Sequence, residues 1–161
     1  MRIYHFGNFY MSSIQQGIQA AHCQTEMSLK YTYGSLDEPD GTKEIWHDWA
    51  RYHKTMICLS GGMDINLQEI KQLMAQPENP YPWSYFNEAQ EAMGGMLTNV
   101  AIVLPEDIYE LAAKVRQKQC QIDEAGDVYC MQNGEAVLLP EKISEFEIRL
   151  ITLLNSCGLA K

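Results

Sequence analysis

The residues best suited to chemistry follow the first predicted strand. Gln15, Gln19 and His22 occur at i, i+4 and i+7, so a helix places all three on one face. Ser12 or Ser13 would cap the start of that helix. Ligands of open α/β sheets bind beyond the carboxyl ends of strands, where helix N-termini offer unpaired N–H groups, so this stripe predicts a site for an anionic or amide-bearing ligand. The alternative is a solvated helix surface, with His22 half-buried and bonded to backbone.

A second set of polar residues surrounds the start of the clearest buried strand. Glu88 lies in the segment before it, and Thr98 and Asn99 stand at its mouth. A carboxylate in that position could act as a general base or hold a ligand hydroxyl. The alternative is an exposed glutamate on a loop.

Aromatic and imidazole side chains are concentrated in the segment EIWHDWARYH. Trp46 and Trp49 could form a wall on which a base or ring stacks. At helical spacing, however, aromatic residues also fit a hydrophobic core. Asp48 beside His47 or His53 does not make a catalytic triad without a placed nucleophile.

Neither a metal site nor another cofactor is predicted. The chain has no Cys-x-x-Cys or His-Glu-x-x-His pair. Its five cysteines are odd in number and scattered, which predicts free thiols in a reducing compartment rather than a disulfide framework. The N-terminal segment also lacks the continuous apolar stretch of a secretory signal. A cytoplasmic location is therefore expected.

The charge balance bears on the class of partner. Twelve Lys and Arg against twenty-one Asp and Glu give a formal net charge of −9. This sign disfavours a general coat for DNA or RNA. No apolar run approaches the roughly 20 residues that cross a bilayer, so no membrane partner is expected.

The order of predicted elements defines the fold class. Strands are predicted at residues 2–10, 54–60, 83–87 and 99–105; the second and last are apolar runs typical of buried central strands. Helices are predicted to begin at Ser12 or Ser13, at Asn66 and at Pro105. A turn-rich loop is predicted at residues 31–43. This order predicts an α/β three-layer sandwich, with a mixed sheet of about four strands and helices on both faces.

Residues after 117 predict an extension of the same single domain, 1–161. Turn signals at Ala125-Gly126 and Asn133-Gly134 bracket short alternating runs, which predicts a β-hairpin. An amphipathic helix is predicted at 143–157. The core therefore spans 1–117 and the extension 118–161.

The core resembles the type-II peptidyl-tRNA hydrolases. Gln19 and His22, separated by two alanines, match a Gln and a His that the family carries on its first helix, and Gln15 stands where the family has a lysine. Further along, matching features follow in the same order: Trp49, the strand 54–59, the helix 67–74, Glu88-Ala89 and the strand 99–105. Glu88 stands where the family has an aspartate, and Ala92 where it has a threonine. The first helix also resembles that of small phage-encoded proteins of this type.

The polar residues and the resemblance together lead us to expect a ligand pocket. Its predicted lining is Ser13, Gln15, Gln19, His22, Glu88 and Asn99, with Trp46 or Trp49 as a stacking wall. Because the replaced residues are those that carry the chemistry, we expect binding of a small nucleotide-like ligand rather than of tRNA, with or without weak enzymatic activity. By analogy, a phage protein of this kind would sequester a host defence nucleotide. One alternative is an active peptidyl-tRNA hydrolase, with His22 and Glu88 as catalytic residues. Another is an interaction module that forms a homodimer through residues 118–161.

Overall fold

A computed structural model describes residues 1–33 and 41–160. Residues 34–40, within the predicted turn-rich loop, lie outside the described residues. The chain divides into two compact units. Unit 1 comprises Met1–Pro105 and Cys157–Lys161, and unit 2 comprises Glu106–Ser156.

The described residues of unit 1 form a four-stranded sheet and four α-helices. Its strands are β1 (Arg2–Gly7), β2 (Met56–Ser60), β3 (Trp83–Asn87) and β4 (Leu97–Leu104). Its helices are α1 (Ser13–Ser28), α2 (Thr42–Asp48), α3 (Asp64–Met74) and α4 (Gln90–Met93). A π-helical turn continues α1 over Leu29–Tyr33, and another continues α2 over Trp49–His53.

The sheet of unit 1 is mixed, in the order β2-β1-β4-β3. Strands β1 and β2 are parallel, whereas β4 runs antiparallel to both β1 and β3. All eight residues of β4 are buried, as its apolar sequence predicts. The predicted α/β fold with a mixed sheet of about four strands is confirmed.

Helices cover both faces of this sheet. One face carries Ile3, Ala101 and Val103, which form a core with residues of α1, α2 and their π-helical continuations. The alternation of side chains along a strand turns Phe6 to the other face. There Phe6 lies beside Leu67 of α3, and α3 packs along β4. The three-layer arrangement follows.

Strand β2 lies at an edge of the sheet, so its predicted central position is wrong. Its burial is accordingly uneven, with only Leu59 fully buried. The C-terminal segment covers the edge: Ser60 N–H donates to the Gly158 carbonyl, and Ala160 N–H donates to the Cys58 carbonyl. An apolar run in the sequence indicates that a strand is buried. It does not distinguish a central strand from an edge strand that another segment covers.

Unit 2 is built from two helices and a three-stranded antiparallel sheet. The helices are α5 (Glu106–Arg116) and α6 (Glu145–Ser156), which pack on each other. The strands are β5 (Cys120–Ile122), β6 (Asp127–Gln132) and β7 (Glu135–Lys142), in that order. The β6–β7 turn has positive φ at Asn133 and Gly134, as the predicted hairpin requires.

Unit 2 begins at Glu106, the first residue of α5. The division into a core of 1–117 and an extension of 118–161, which follows the family resemblance, stays a prediction. Helix α5 contacts α6 and β5, so it belongs to unit 2. The sequence predicts α5 as a helix but does not reveal its packing partners, because an apolar stripe fits any complementary surface. The amphipathic pattern therefore predicts the helix, but it does not predict the unit in which the helix packs.

Two cysteines of unit 2 form a disulfide, which corrects the expectation of free thiols. Cys120 of β5 lies directly opposite Cys130 of β6, with their Cα atoms 4.0 Å apart and their sulfurs bonded. Strand pairing creates this proximity, which the spacing along the chain does not reveal. Cys23, Cys58 and Cys157 are outside this disulfide and keep their thiols.

Candidate functional site

The first predicted site element is the start of α1, which a capping box fixes. Ser12 is the N-cap, and its Oγ accepts from Gln15 N–H at 3.3 Å. The Gln15 Oε1 in turn accepts from Ser12 N–H at 3.0 Å. Ser13 and Gln15 are both exposed. The structure thus places them at the expected helix start, where Gln15 Oε1 stabilises the helix terminus.

A chain of hydrogen bonds joins α1 to the segments at the ends of β3 and β4. The Gln19 Nε2 donates to Glu88 Oε1 at 2.7 Å, and the Thr98 Oγ1 donates to Gln19 Oε1 at 2.8 Å. Gln19 and Thr98 are buried, whereas Glu88 is half-buried. We call these three residues the Thr98–Gln19–Glu88 relay. The relay brings Gln19 and Glu88 into contact, although they are 69 residues apart.

A bulge in β4 explains how Thr98 reaches α1. Phe86 pairs with Asn99 and Asn87 pairs with Leu97, so Thr98 is the extra residue on β4. In a regular strand, Thr98 and Asn99 would point to opposite faces. Here Thr98 contacts Gln19 of α1 while Asn99 contacts His5, which in turn contacts α1. The bulge therefore supplies two consecutive polar side chains to one face.

His22 lies one turn further along α1, on the same face as Gln19. Its ring stacks on Phe86 of β3, with the centroids 4.6 Å apart and the planes 19° from parallel. His22 is exposed. We call His22, Phe86 and the relay together the α1–β3 rim. The rim combines a stacked ring with a hydrogen-bonded carboxylate.

Asn99 lies in a buried layer behind the rim. Its Oδ1 accepts from the His5 ring at 2.9 Å, and the Gln24 side chain contacts the other ring nitrogen at 3.2 Å. Both Asn99 and His5 are at most 1% exposed. Burial lowers the pKa of His5 to about 4, and the bond to Asn99 opposes that shift. The structure thus gives Asn99 a buried hydrogen-bonding role and does not place it among the exposed rim atoms.

Trp46 and Trp49 lie in the hydrophobic core and not at the rim. They are 4% and 5% exposed, with their ring centroids 5.2 Å apart. Both pack against the sheet with Met27 and Tyr31. Their burial leaves little ring surface for a ligand, so the structure favours the core interpretation over the stacking wall.

Exposed aromatic residues stand where β1 gives way to α1, and they are not among the predicted site residues. Phe9 is 62% exposed and Tyr10 is 73% exposed, and their rings meet edge to face. The Tyr10 hydroxyl lies 3.9 Å from the sulfur of Met63, which precedes α3. The sequence signal for this surface is the pair of adjacent aromatic residues between the first strand and the N-cap of the helix that follows it. They offer exposed stacking surface at the carboxyl end of β1.

A buried acceptor lacks a partner near the same strand end. Gln16 donates from Nε2 to the Met11 carbonyl at 3.1 Å, but among the described residues its buried Oε1 has no hydrogen-bond partner. A Cβ on Gly7 would lie 2.8 Å from this oxygen. Gly7 therefore leaves the space that the Gln16 side chain occupies.

Two further features bear on the chemistry of the site. Burial raises the pKa of the Cys58 thiol, which makes a reactive thiolate there less accessible. In residues 1–33 and 41–160, no group of three His, Cys, Asp or Glu side chains could hold a metal ion. The rim can therefore bind, orient or exchange a proton through Glu88 and His22, without a thiol nucleophile among the residues brought together.

Comparison with protein-family models and with curated proteins finds no match for this chain. The resemblance to type-II peptidyl-tRNA hydrolases stays a prediction. In the part of the chain that the structure describes, no helix has both the length and the apolar character needed to cross a membrane.

Proposed function

We propose that unit 1 binds a small nucleotide-like ligand at the α1–β3 rim. The observation that carries the proposal is the 2.7 Å hydrogen bond from the buried Gln19 amide to the half-buried Glu88 carboxylate. A carboxylate has about four acceptor sites. Gln19 occupies one of them and the Ala89 N–H, at 3.3 Å from Oε2, a second. The remaining two can accept ribose hydroxyls or the N–H groups of a base.

The surroundings of Glu88 favour a ligand with rings. The exposed imidazole of His22 is supported on Phe86 and could stack on a base. At the carboxyl end of β1, Phe9 and Tyr10 offer further aromatic surface. Ser13 and Gln15 at the start of α1 stand where a helix accommodates a phosphate.

Charge favours a small ligand over tRNA. The chain carries a formal net charge of −9, and Glu88 adds a carboxylate at the rim itself. Binding of a polyanion depends on neutralising many phosphates with Lys and Arg. A ligand with one or a few phosphates is repelled less strongly by the negative charge of the chain. In this proposal the protein is a cytoplasmic phage protein that sequesters a defence nucleotide of its host, a step that rests on analogy.

Calorimetric titration tests the proposal directly. The panel is adenosine, AMP, ADP-ribose and cyclic dinucleotides. We expect at least one to bind, and Glu88→Gln to weaken it about 10- to 100-fold, because a hydrogen bond to a charged group contributes about 1.5–3 kcal/mol. Glu91→Gln, which changes an exposed carboxylate on α4, is the matched control and should bind normally. Absence of binding across the panel, or equal losses in both variants, would contradict the proposal.

Ester hydrolysis is the second candidate. It is favoured by the direct hydrogen bond between Gln19 and Glu88. The family resemblance matches these two residues to separate segments of the chain that contribute to one site. In this reading Glu88 or His22 activates a water molecule and Gln19 holds the carboxylate. The expected result is release of an N-blocked amino acid from charged tRNA, lost in His22→Ala and Glu88→Ala but kept in Glu91→Ala. Undetectable turnover at high protein concentration excludes this candidate.

Homodimer formation through residues 118–161 stays a separate prediction. The surface that would be covered is one face of the hairpin, where the exposed side chains of Tyr129, Met131 and Leu138 lie together. Light scattering across a concentration series is the test, and a monomer at every concentration contradicts it.

A further inference from the structure

Unit 2 contains a pocket that the proposed function does not use. It has a volume of about 230 Å³ and is lined by residues of α5, β6 and β7 and by Ile143. Well-packed protein interiors leave few voids larger than a water molecule. A pocket of this size, formed within one small unit, is therefore a candidate binding site.

The pocket has a largely apolar lining, and its volume limits the size of the ligand. Its apolar lining residues are Ile108, Leu111, Val128, Leu139 and Ile143. An apolar cavity of roughly 150 Å³ is large enough to bind benzene. Pockets for drug-sized ligands measure roughly 300–1,000 Å³. The volume here fits one ring or a short chain together with a small head group.

Charged residues at the same pocket define the head group. Asp107, Glu110 and Glu141 supply three carboxylates, and Lys114 supplies one ammonium group. Within residues 1–33 and 41–160, none of these four side chains forms an ion pair or a hydrogen bond in the structure. Their combined charge is negative, so the pocket attracts a cation and repels an anion.

We propose that this pocket binds a small molecule that joins one ring, or an apolar chain of similar size, to a protonated amine. The apolar body would contact Ile108, Leu111 and Ile143. The ammonium group would meet the carboxylates of Asp107, Glu110 or Glu141. Both parts of the ligand are needed, because an exposed ion pair alone contributes little binding energy.

The first test compares three probes that share one ring. Benzylamine, benzyl alcohol and phenylacetate are titrated into the full chain, and methyl resonances are followed by NMR. We expect benzylamine to give saturable shifts at Ile108, Leu111 and Ile143, benzyl alcohol to bind more weakly, and phenylacetate weakest. Phenylacetate binding as tightly as benzylamine, or no saturable shift at these methyl groups, would overturn the proposal.

The second test changes charge with little risk to folding. Glu141 is exposed, and Glu141→Gln should weaken benzylamine binding about two- to fivefold, as expected for loss of an exposed ion pair. Glu124→Gln is the matched control: it removes an exposed carboxylate of unit 2 that does not line the pocket. Lys114→Gln should strengthen binding by removing the one cation. Equal weakening in the Glu141 and Glu124 variants would overturn the assignment of the charged head group.

Discussion

Glu88 determines which end of the Gln19 amide faces Thr98. The carboxylate of Glu88 accepts hydrogen bonds and does not donate them, so it must face the Gln19 Nε2. The Gln19 Oε1 then points inward and accepts from the Thr98 hydroxyl. The carboxylate thereby fixes the orientation of the amide, and the buried Thr98 hydroxyl satisfies the amide oxygen.

Thr98→Val should destabilise unit 1 by about 1–3 kcal/mol. The substitution keeps the shape of the side chain but leaves the buried Gln19 Oε1 without its donor. Urea unfolding measures the change. Thr25→Val is the matched control, because Thr25 is exposed on α1 and bonds locally to the Ala21 carbonyl. Similar losses in the two variants would contradict a special role for Thr98.

His5 should make the protein less stable at mildly acidic pH. Its folded pKa of about 4 lies below the ordinary value of 6.5. Between these values the unfolded chain binds a proton that the folded chain does not, so stability is lost as pH falls from about 6.5 towards 4. The full loss is roughly 3 kcal/mol, at about 1.4 kcal/mol for each unit of pKa.

Unfolding free energies measured across this pH range test the prediction. The His5→Gln variant removes the titrating group while keeping a polar side chain. Its stability should therefore fall less steeply than that of the unchanged chain as the pH decreases. Parallel pH profiles for the two proteins would show that His5 is not responsible.

Several site residues follow from sequence, and others do not, for physical reasons. Helical spacing predicts that Gln19 and His22 share one face of a helix. The position of Glu88 just before a buried strand predicts that its carboxylate lies near the end of that strand. Burial of Trp46 does not follow, because an aromatic stripe fits a core as well as a ligand wall. The role of Thr98 depends on a one-residue bulge that pairs β3 with β4, and a single sequence does not fix that register.

At the scale of the element, two glycines show opposite packing demands. A Cβ on Gly17, within α1, would meet nothing within 4 Å. A Cβ on Gly61, after β2, would lie 2.5 Å from Leu67 Cδ2 and 3.0 Å from Phe6 Cβ. Gly61 is therefore needed where α3 approaches the sheet, whereas Gly17 only lowers helix propensity.

Alanine substitutions should separate these two cases. Gly17→Ala should raise the free energy of unfolding by about 1 kcal/mol through improved helix propensity. Gly61→Ala should lower it by about 1–3 kcal/mol through overpacking. Thermal and urea unfolding measure both. A destabilised Gly17→Ala variant would reveal a contact at α1 that the structure does not contain.

The elements themselves were largely predictable, and their partners were not. The predicted strand 83–87 matches β3, and helices α3 and α5 correspond to the helices predicted to begin at Asn66 and at Pro105. Periodicity reports which side of an element is apolar. It does not report what covers that side, so it predicts a central position for β2, which lies at the edge of the sheet.

At the scale of the whole molecule, the two units carry different chemistry. Unit 1 holds the α1–β3 rim, with its hydrogen-bonded carboxylate and stacked ring. Unit 2 holds the apolar pocket with its acidic residues and the disulfide between Cys120 and Cys130. Each can therefore be tested by variants that leave the other unchanged.

The disulfide predicts a count of reactive thiols. Alkylation of the denatured chain without reductant should modify Cys23, Cys58 and Cys157, and mass spectrometry should find two more modified cysteines after reduction. Reduction should also destabilise unit 2 by about 2–3 kcal/mol, the effect expected for a loop of this short length. Five modified cysteines in the oxidised, freshly purified chain would contradict the disulfide.

The central claim is that Glu88, held by Gln19, receives a nucleotide-like ligand. The most direct measurement uses two amides that donate to Glu88: the Gln19 side-chain amide and the Ala89 backbone amide, which lies 3.3 Å from Glu88 Oε2. Both are followed by ¹⁵N NMR while ADP-ribose or a cyclic dinucleotide is added. We predict saturable shifts at both amides, absent in Glu88→Gln at the same ligand concentration and retained in Glu91→Gln. Binding that leaves both amides unshifted while resonances elsewhere move would place the ligand away from the rim and contradict the account.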